Sequence, residues 1–166
     1  MSRHVAEAIV RRWIEEGWDQ GRLDVVADLL LPTVTLHERS APARTAPRDE
    51  VRRLVHVIRT LCPQFRFIIE DVVADGDRVA VRWQIRCPQE SGPDAVVTGF
   101  AFYRVEDGRI AEIWSDLSAS ELMRAIGVVS ESPWHEVWSR MSPLEKRRAF
   151  VTICQEMVQA LERAPL

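Results

Sequence analysis

AVVTGFAFYRVEDGRIAEIWSDL, residues 95–117, reads as two apolar strands joined by a tight turn at Asp107-Gly108. Asp-Gly between alternating apolar runs is a strong hairpin signal, because both central residues of a type I′ turn need positive φ. The stretch closes on Trp114-Ser115-Asp116. An acid where an apolar strand ends is well placed to project into a hydrophobic cavity. A carboxyl group in such a cavity is a candidate proton shuttle, because desolvation disfavours its charged form.

Working outward, residues 65–74 and 78–87 make a second hairpin across Asp75-Gly76-Asp77. Upstream lie three amphipathic helical segments. Residues 3–17 carry Val5, Ala8, Ile9 and Trp13 on one stripe, and Gly17 ends them. Trp18-Asp19-Gln20-Gly21 is a turn. Leu23, Val26, Ala27 and Leu30 form a short helix stopped by Pro32. Thr33–His37 alternates like a strand, and Arg39–Ala46 is a loop. A third helix starts at Pro47, carries Val51, Leu54, Val55, Ile58 and Leu61, and ends at Cys62-Pro63. Helices gathered on one side of a curved antiparallel sheet predict an α+β cone with an apolar interior, a standard setting for a small-molecule pocket.

Downstream, Ser118–Glu121 fits a capping box opening a short helix that ends at Gly127. Ser132-Pro133 and Ser142-Pro143 each set a cap before a proline. Residues 143–163 bear Phe150, Ile153, Met157 and Leu161 on one face. The expected domains are a cone over 1–127 and a two-helix extension over 128–166, which Trp134 and Trp138 dock.

The net charge of −3 leaves no basic footprint, so nucleic acid is not an expected partner. No apolar run approaches the ~18 residues of a membrane span, and the N-terminus lacks the apolar core of a secretory signal. Three cysteines without a C-x-x-C pair argue against a disulfide framework or a zinc site, so a reduced cytoplasmic setting is expected. No metal-ligand cluster, phosphate loop or nucleophile elbow is present, and no metal or cofactor is expected.

Three runs carry a family resemblance. WDQGRLDVVADLLLPTVTLH (18–37), FRFIIEDVVADGDRVAVRW (65–83) and VTGFAFYRVEDGRIAEIWSD (97–116) resemble the opening, central hairpin and final hairpin of SnoaL-like proteins. These belong to the nuclear transport factor 2-like superfamily, and the likeness covers roughly 5–127. It implies a curved-sheet cone, pairing of two copies through the outer sheet face, and a fold that hosts cyclases, isomerases, epoxide hydrolases and non-enzymes. In polyketide cyclases of this kind an Asp at the end of the last strand serves as acid/base, and Asp116 occupies that position. Limonene epoxide hydrolase-like members join it to an Arg-x-Asp on a middle strand. Here that strand reads Arg82-Trp83-Gln84, and Leu36 and Glu38 stand where that family has Tyr and Asn. Ile113 stands where many members have His.

Asp116 and Arg82 are accordingly the candidate catalytic residues, Arg82 or Gln84 steadying a developing oxyanion. Gln84, His37, Glu38, Trp114, Trp18, Phe100 and Phe102 are the candidate substrate-binding residues. Each has a plainer reading. Asp116 suits the cap of the helix near Ser118. Arg82 and Gln84 suit a solvated face. His37 suits an ordinary strand end, and the tryptophans suit a core. Val79, Val81, Trp83 and Ile85 form the other face of their strand and are core or interface; Val81, Trp83 and Ile85 are the expected dimer face. The functional expectation is a cofactor-independent cyclase or isomerase for a hydrophobic, polyketide- or terpenoid-like molecule. Epoxide opening and a non-catalytic binding or dimerisation module are the alternatives.

Overall fold

Helix α1 (Arg3–Arg12) runs without interruption into a wider π-helical segment, Trp13–Asp19. Its buried stripe is Ala6, Val10, Trp13 and Ile14, one step round from the expected one; Val5 is half exposed. Gly17 does not end the helix. A Cβ there would lie 2.7 Å from the Trp13 ring, so glycine makes room for that indole inside the helical segment. Gly21, at φ +69°, makes the turn instead. Asp19 then staples the segment to the sheet: its Oδ1 accepts from the Phe67 N–H at 2.7 Å and from Arg66 Nε at 2.9 Å.

Here the protein is described by a computed structural model over residues 2–39, 42–89 and 92–117, with Leu122, Arg124 and Ser142 besides. The chain partitions into two units, Met1–Val128 and Val129–Leu166, and the described helices and strands all belong to the first. The expected capping box at 118–121, the stop at Gly127 and the helices of 128–166 with their apolar stripe lie outside the described residues, apart from Leu122 and Arg124, which are helical.

A single 3-10 turn (Leu23–Val25) leads into α2 (Val26–Leu29), and β1 (Leu30–Glu38) follows at once. Pro32 therefore lies inside a strand rather than stopping a helix. It falls where the β1–β6 register slips between Leu30 and Thr35, an irregular stretch that tolerates a residue without an N–H. The expected loop at 39–46 contains a short strand, β2 (Arg44–Pro47), antiparallel to β1. Helix α3 (Arg48–Leu61) buries Val51, Val55, Val57 and Ile58.

The meander β3 (Arg66–Asp75), β4 (Arg78–Cys87), β5 (Ala95–Glu106) and β6 (Arg109–Ser115) matches the expected strands closely. Asp107 and Gly108 both take positive φ, +49° and +75°, as a type I′ turn requires. The six strands form one open sheet in the order β2-β1-β6-β5-β4-β3; only the β1–β6 pair is parallel. Register slips at Ile69/Asp71 and Arg104/Val105 add local bends, the usual source of curvature in such sheets. The architecture is the α+β curved sheet with N-terminal helices.

The two faces of the sheet are unequal. On β4, Val79, Val81, Trp83, Ile85 and Cys87 are all buried, while Arg78, Arg82 and Arg86 are exposed. On β5, Gly99, Ala101, Tyr103 and Val105 are buried, while Val96, Phe100 and Phe102 are about half exposed. The valines and Trp83 of β4 thus face the helices. They are not available as the dimer face expected of Val81, Trp83 and Ile85.

Cys62, just after α3, and Cys87, at the end of β4, are joined in a disulfide, with 6.3 Å between their Cα atoms. The expectation of unpaired thiols is overturned, and the argument for a reduced compartment loses its premise. A cross-link spanning 25 residues contributes about 3 kcal/mol by loop-closure entropy. Among the described residues no helix is long and apolar enough to cross a membrane.

Candidate functional site

A cavity of about 120 Å³ opens between the inner face of the sheet and the helices. Its walls are apolar: Trp13 and Trp18 from the first helical segment, Val51 and Leu54 from α3, Trp83 from β4 and Ile113 from β6, among others. That volume approaches the 150 Å³ that holds a benzene ring, so the cavity takes about one ring of a ligand. Trp18 meets Trp13 edge-on with centroids 6.0 Å apart and leans on Phe65 and Phe67 at about the same distance. Aromatic packing of this kind holds flat walls in place.

Asp116 stands at the end of β6, where Ser115 closes a tight turn by bonding its hydroxyl to both the N–H and the C=O of Leu117. The Asp116 N–H donates to the Phe100 carbonyl at 3.3 Å, and its Oδ1 accepts from the Phe100 N–H at 2.9 Å. The carboxyl therefore caps the β5–β6 ladder. Oδ2 lies 3.6 Å from Arg39 Nη2, an exposed pairing of small energetic weight. Oδ1 also hangs over the bare inner side of Gly99. A Cβ at Gly99 would lie 2.6 Å from that oxygen and 2.5 Å from Cζ2 of Trp83. The absent side chain is what lets the carboxylate and a cavity-lining indole approach each other. Among the described residues the partners of the carboxyl are Phe100 and Arg39; the helix start it was expected to cap lies outside them.

Glu38 and Ser115 are register partners at the same end of the sheet, and both line the cavity. Glu38 has no hydrogen-bond or ion-pair partner among the described residues. His37 borders the cavity, but strand alternation turns its ring to the outer face. There it stacks on Trp114 at 4.4 Å and lies 3.0 Å from Glu112 Oε2. Arg104 completes that outer network, 2.6 Å from Glu112 Oε1. Hydrogen bonding from His37 first, then from Arg104, holds the Glu112 carboxyl below its ordinary range.

Of the residues singled out from sequence, the fold brings Trp18 and Glu38 to the cavity wall, His37 to its border, and Asp116 beside Trp83. It separates the others. Arg82 lies on the outer face, 2.6 Å from Glu70, and Gln84 beside it accepts from Arg86. Trp114, Phe100 and Phe102 share that outer face. The reason is one of parity: β5 is apolar on both faces, so alternation alone does not tell which side is inner. The inner set on β5 is Gly99, Ala101 and Tyr103. Tyr103 was not singled out, although it is the chain's sole tyrosine and alternates with Phe100 and Phe102. Its side chain is buried, lines the cavity, and has no hydrogen-bond partner among the described residues. Burial pushes its phenol well above the ordinary range, so it stays a proton donor.

Residues 10–113 match the family model of the SnoaL-like domain. The chain belongs to the SnoaL-like family. Solved structures agree on the nuclear transport factor 2-like fold. A SnoaL-like polyketide cyclase candidate from Jannaschia sp. CCS1 superposes with TM-score 0.62 at 21% identity, covering 77% of this chain and 95% of that one. IdmH, a polyketide cyclase candidate from Streptomyces antibioticus, gives 0.60 at 21%, covering 74% and 98%. AclR, a hydroxylase candidate from Streptomyces galilaeus, gives 0.61 at 16%, covering 78% and 100%. At such identities the likeness speaks for the fold alone. No curated protein matches the sequence. This SnoaL-like domain therefore has to be read from its own cavity.

Proposed function

We propose that this SnoaL-like protein is a cofactor-independent cyclase or isomerase for a small hydrophobic carbonyl compound, with Asp116 as its acid/base. The observation that carries the reading is the Asp116 carboxyl, whose Oδ1 shares the space over Gly99 with the cavity-lining Trp83 indole, next in sequence to Ser115 of the cavity wall. One oxygen is anchored by the Phe100 N–H, which fixes the group, while the other makes only the long, exposed 3.6 Å pairing with Arg39, which a proton can displace. The carboxylate takes a proton from a carbon next to a carbonyl, and the C–H electron pair moves into an enolate. In an isomerisation the proton returns from Asp116 at another carbon of the conjugated enolate; in a cyclisation the enolate carbon attacks a second carbonyl of the same molecule, its C=O π pair moves onto oxygen, and that alkoxide takes the proton back from Asp116. The polyketide cyclase candidates among the structural neighbours fit this class of reaction. Arg82 and Gln84 have no part in it, because both face away from the cavity.

Exchange of α-protons of small ketones in D2O, followed by NMR, tests the base without knowledge of the natural substrate. The protein accelerates exchange, and Asp116→Asn lowers the rate on the order of 10²–10⁴-fold. Asn keeps an acceptor for the Phe100 N–H, so folding is retained. Equal rates with and without the protein would leave a non-catalytic binding module. Epoxide opening is favoured by one observation: Glu38 lines the cavity at the end of the sheet that bears Asp116, giving two carboxylates. Hydration of an epoxide lost on either Glu38→Gln or Asp116→Asn would select it.

We also propose a homodimer, with the outer sheet face as its interface. Phe102 pairs through Ala80 with Val73, an apolar row across β5, β4 and β3, and Phe100 flanks it on β5 opposite Arg82.

A further inference from the structure

We propose that Tyr103 is the hydrogen-bond donor that selects the ligand: its hydroxyl donates to a carbonyl oxygen on the ring-sized end of a neutral molecule entering the cavity. This rests on reading the cavity as a small-molecule site.

Three observations carry it. Tyr103 sits on the inner face of β5, two residues after the small Ala101, which lines the cavity with it. Its register partners are Val79 and Ile113, which offer no acceptor. Its hydroxyl has no hydrogen-bond partner among the described residues, yet none of their fully sealed side-chain polar atoms is left unsatisfied. The hydroxyl therefore meets open space, and for a residue only 4% exposed that lines the cavity, that space is the cavity. A buried donor left without an acceptor is costly, so a ligand that supplies one is favoured over an otherwise similar ligand that does not.

The rest of the wall narrows the class. Trp13, Trp18 and Trp83 line the cavity and suit a flat ring. Glu38, a carboxylate on the same wall, disfavours an anionic ligand. The volume admits about one ring, so a larger molecule would insert only its carbonyl-bearing end. In the proposed reaction the same hydroxyl would hold the oxygen on which enolate charge develops, the role that sequence had given to Arg82.

The test uses acetophenone, carrying ¹³C at its carbonyl, and ethylbenzene, which has nearly the same shape and no acceptor. Binding is read from the fluorescence of the cavity tryptophans and from the carbonyl resonance. Tyr103→Phe weakens acetophenone about fivefold to tenfold, the usual worth of one neutral hydrogen bond, and leaves ethylbenzene unchanged or tighter. The bound ¹³C=O resonance sits downfield in the native protein and moves upfield in the variant. Equal affinity of both proteins for acetophenone would overturn the proposal, as would equal weakening of both probes. Should the variant fail to fold, the native protein still decides: a bound carbonyl resonance matching that in a hydrocarbon solvent overturns the proposal. If neither probe binds the native protein, the reading of the cavity itself falls, and this inference with it. The readout is binding, so loss of catalysis in Asp116→Asn does not bear on it.

Discussion

A methyl group at position 99 would have nowhere to go. It would lie 2.6 Å from Asp116 Oδ1 and 2.5 Å from the Trp83 ring, and neither neighbour is a flexible chain end. Trp83 is fixed by Phe67, 5.4 Å away between centroids, and Asp116 by the Phe100 backbone. Gly99→Ala therefore forces the indole or the carboxyl out of place. The expected cost is about 1–3 kcal/mol of stability, the range for overpacking a filled site. Loss of the proton-transfer rate beyond what the stability change explains is also expected, measured by D2O exchange beside thermal unfolding. Position 99 takes no positive φ, so relief of backbone strain plays no part; the demand for glycine is one of space.

Among the elements, β1, β5 and β6 are tied together on the outer face by Glu112, which bonds His37 of β1 and Arg104 of β5. Because these bonds lower its pKa in the folded state, the unfolded chain takes up the proton first as the pH falls. The stabilisation is present above the unfolded pKa and is lost as the pH drops through the folded one, which lies lower. Melting temperatures at pH 6 and pH 3.5 should then differ more in the native protein than in Glu112→Gln. Equal drops in the two would show that the network does not contribute. At this scale local signals in the sequence also met their limits. Gly17 reads as a helix stop, yet it clears space for Trp13. Pro32 reads as a helix stop, yet it lies in a slipped stretch of β1. In both cases a local signal was overridden by packing or pairing with a neighbour.

For the whole molecule, the outer face poses the clearest question. Val73 is 66% exposed, Phe100 54% and Phe102 55%, on a face where Arg82–Glu70 and Arg104–Glu112 pairs supply both signs of charge. Large exposed aromatics in one row are unusual on a monomer, and a face bearing both charge signs suits an isologous contact with a second copy. Sedimentation at micromolar concentration should give twice the chain mass of 19.0 kDa, and Phe102→Glu should return it to a single chain. A native protein that sediments only as one chain would remove the proposal.

Local chemistry determined a good deal by itself. Asp107-Gly108 and Gly76 set the two hairpins, because positive φ is a property of residue and turn. Alternation set the four strands of the meander, and the 3.6-residue period set α3. The α+β class and the SnoaL-like resemblance followed from that order, and Asp116 was legible as the acid at the end of the last strand. Which face of each strand turned inward was decided only by tertiary structure. β4 and β5 carry apolar residues on one face for the core, and β5 carries them on the other face as well. With apolar residues on both faces, period two leaves the parity open. On β5 that choice sent Phe100 and Phe102 outward and Tyr103 into the cavity; on β4 the fold turned the apolar face to the helices rather than to a second copy, and so left Arg82 and Gln84 outside. The Cys62–Cys87 bond has the same origin: nothing in the spacing marks it, and only the tertiary fold brings the end of α3 beside the end of β4, where the two sulfurs meet.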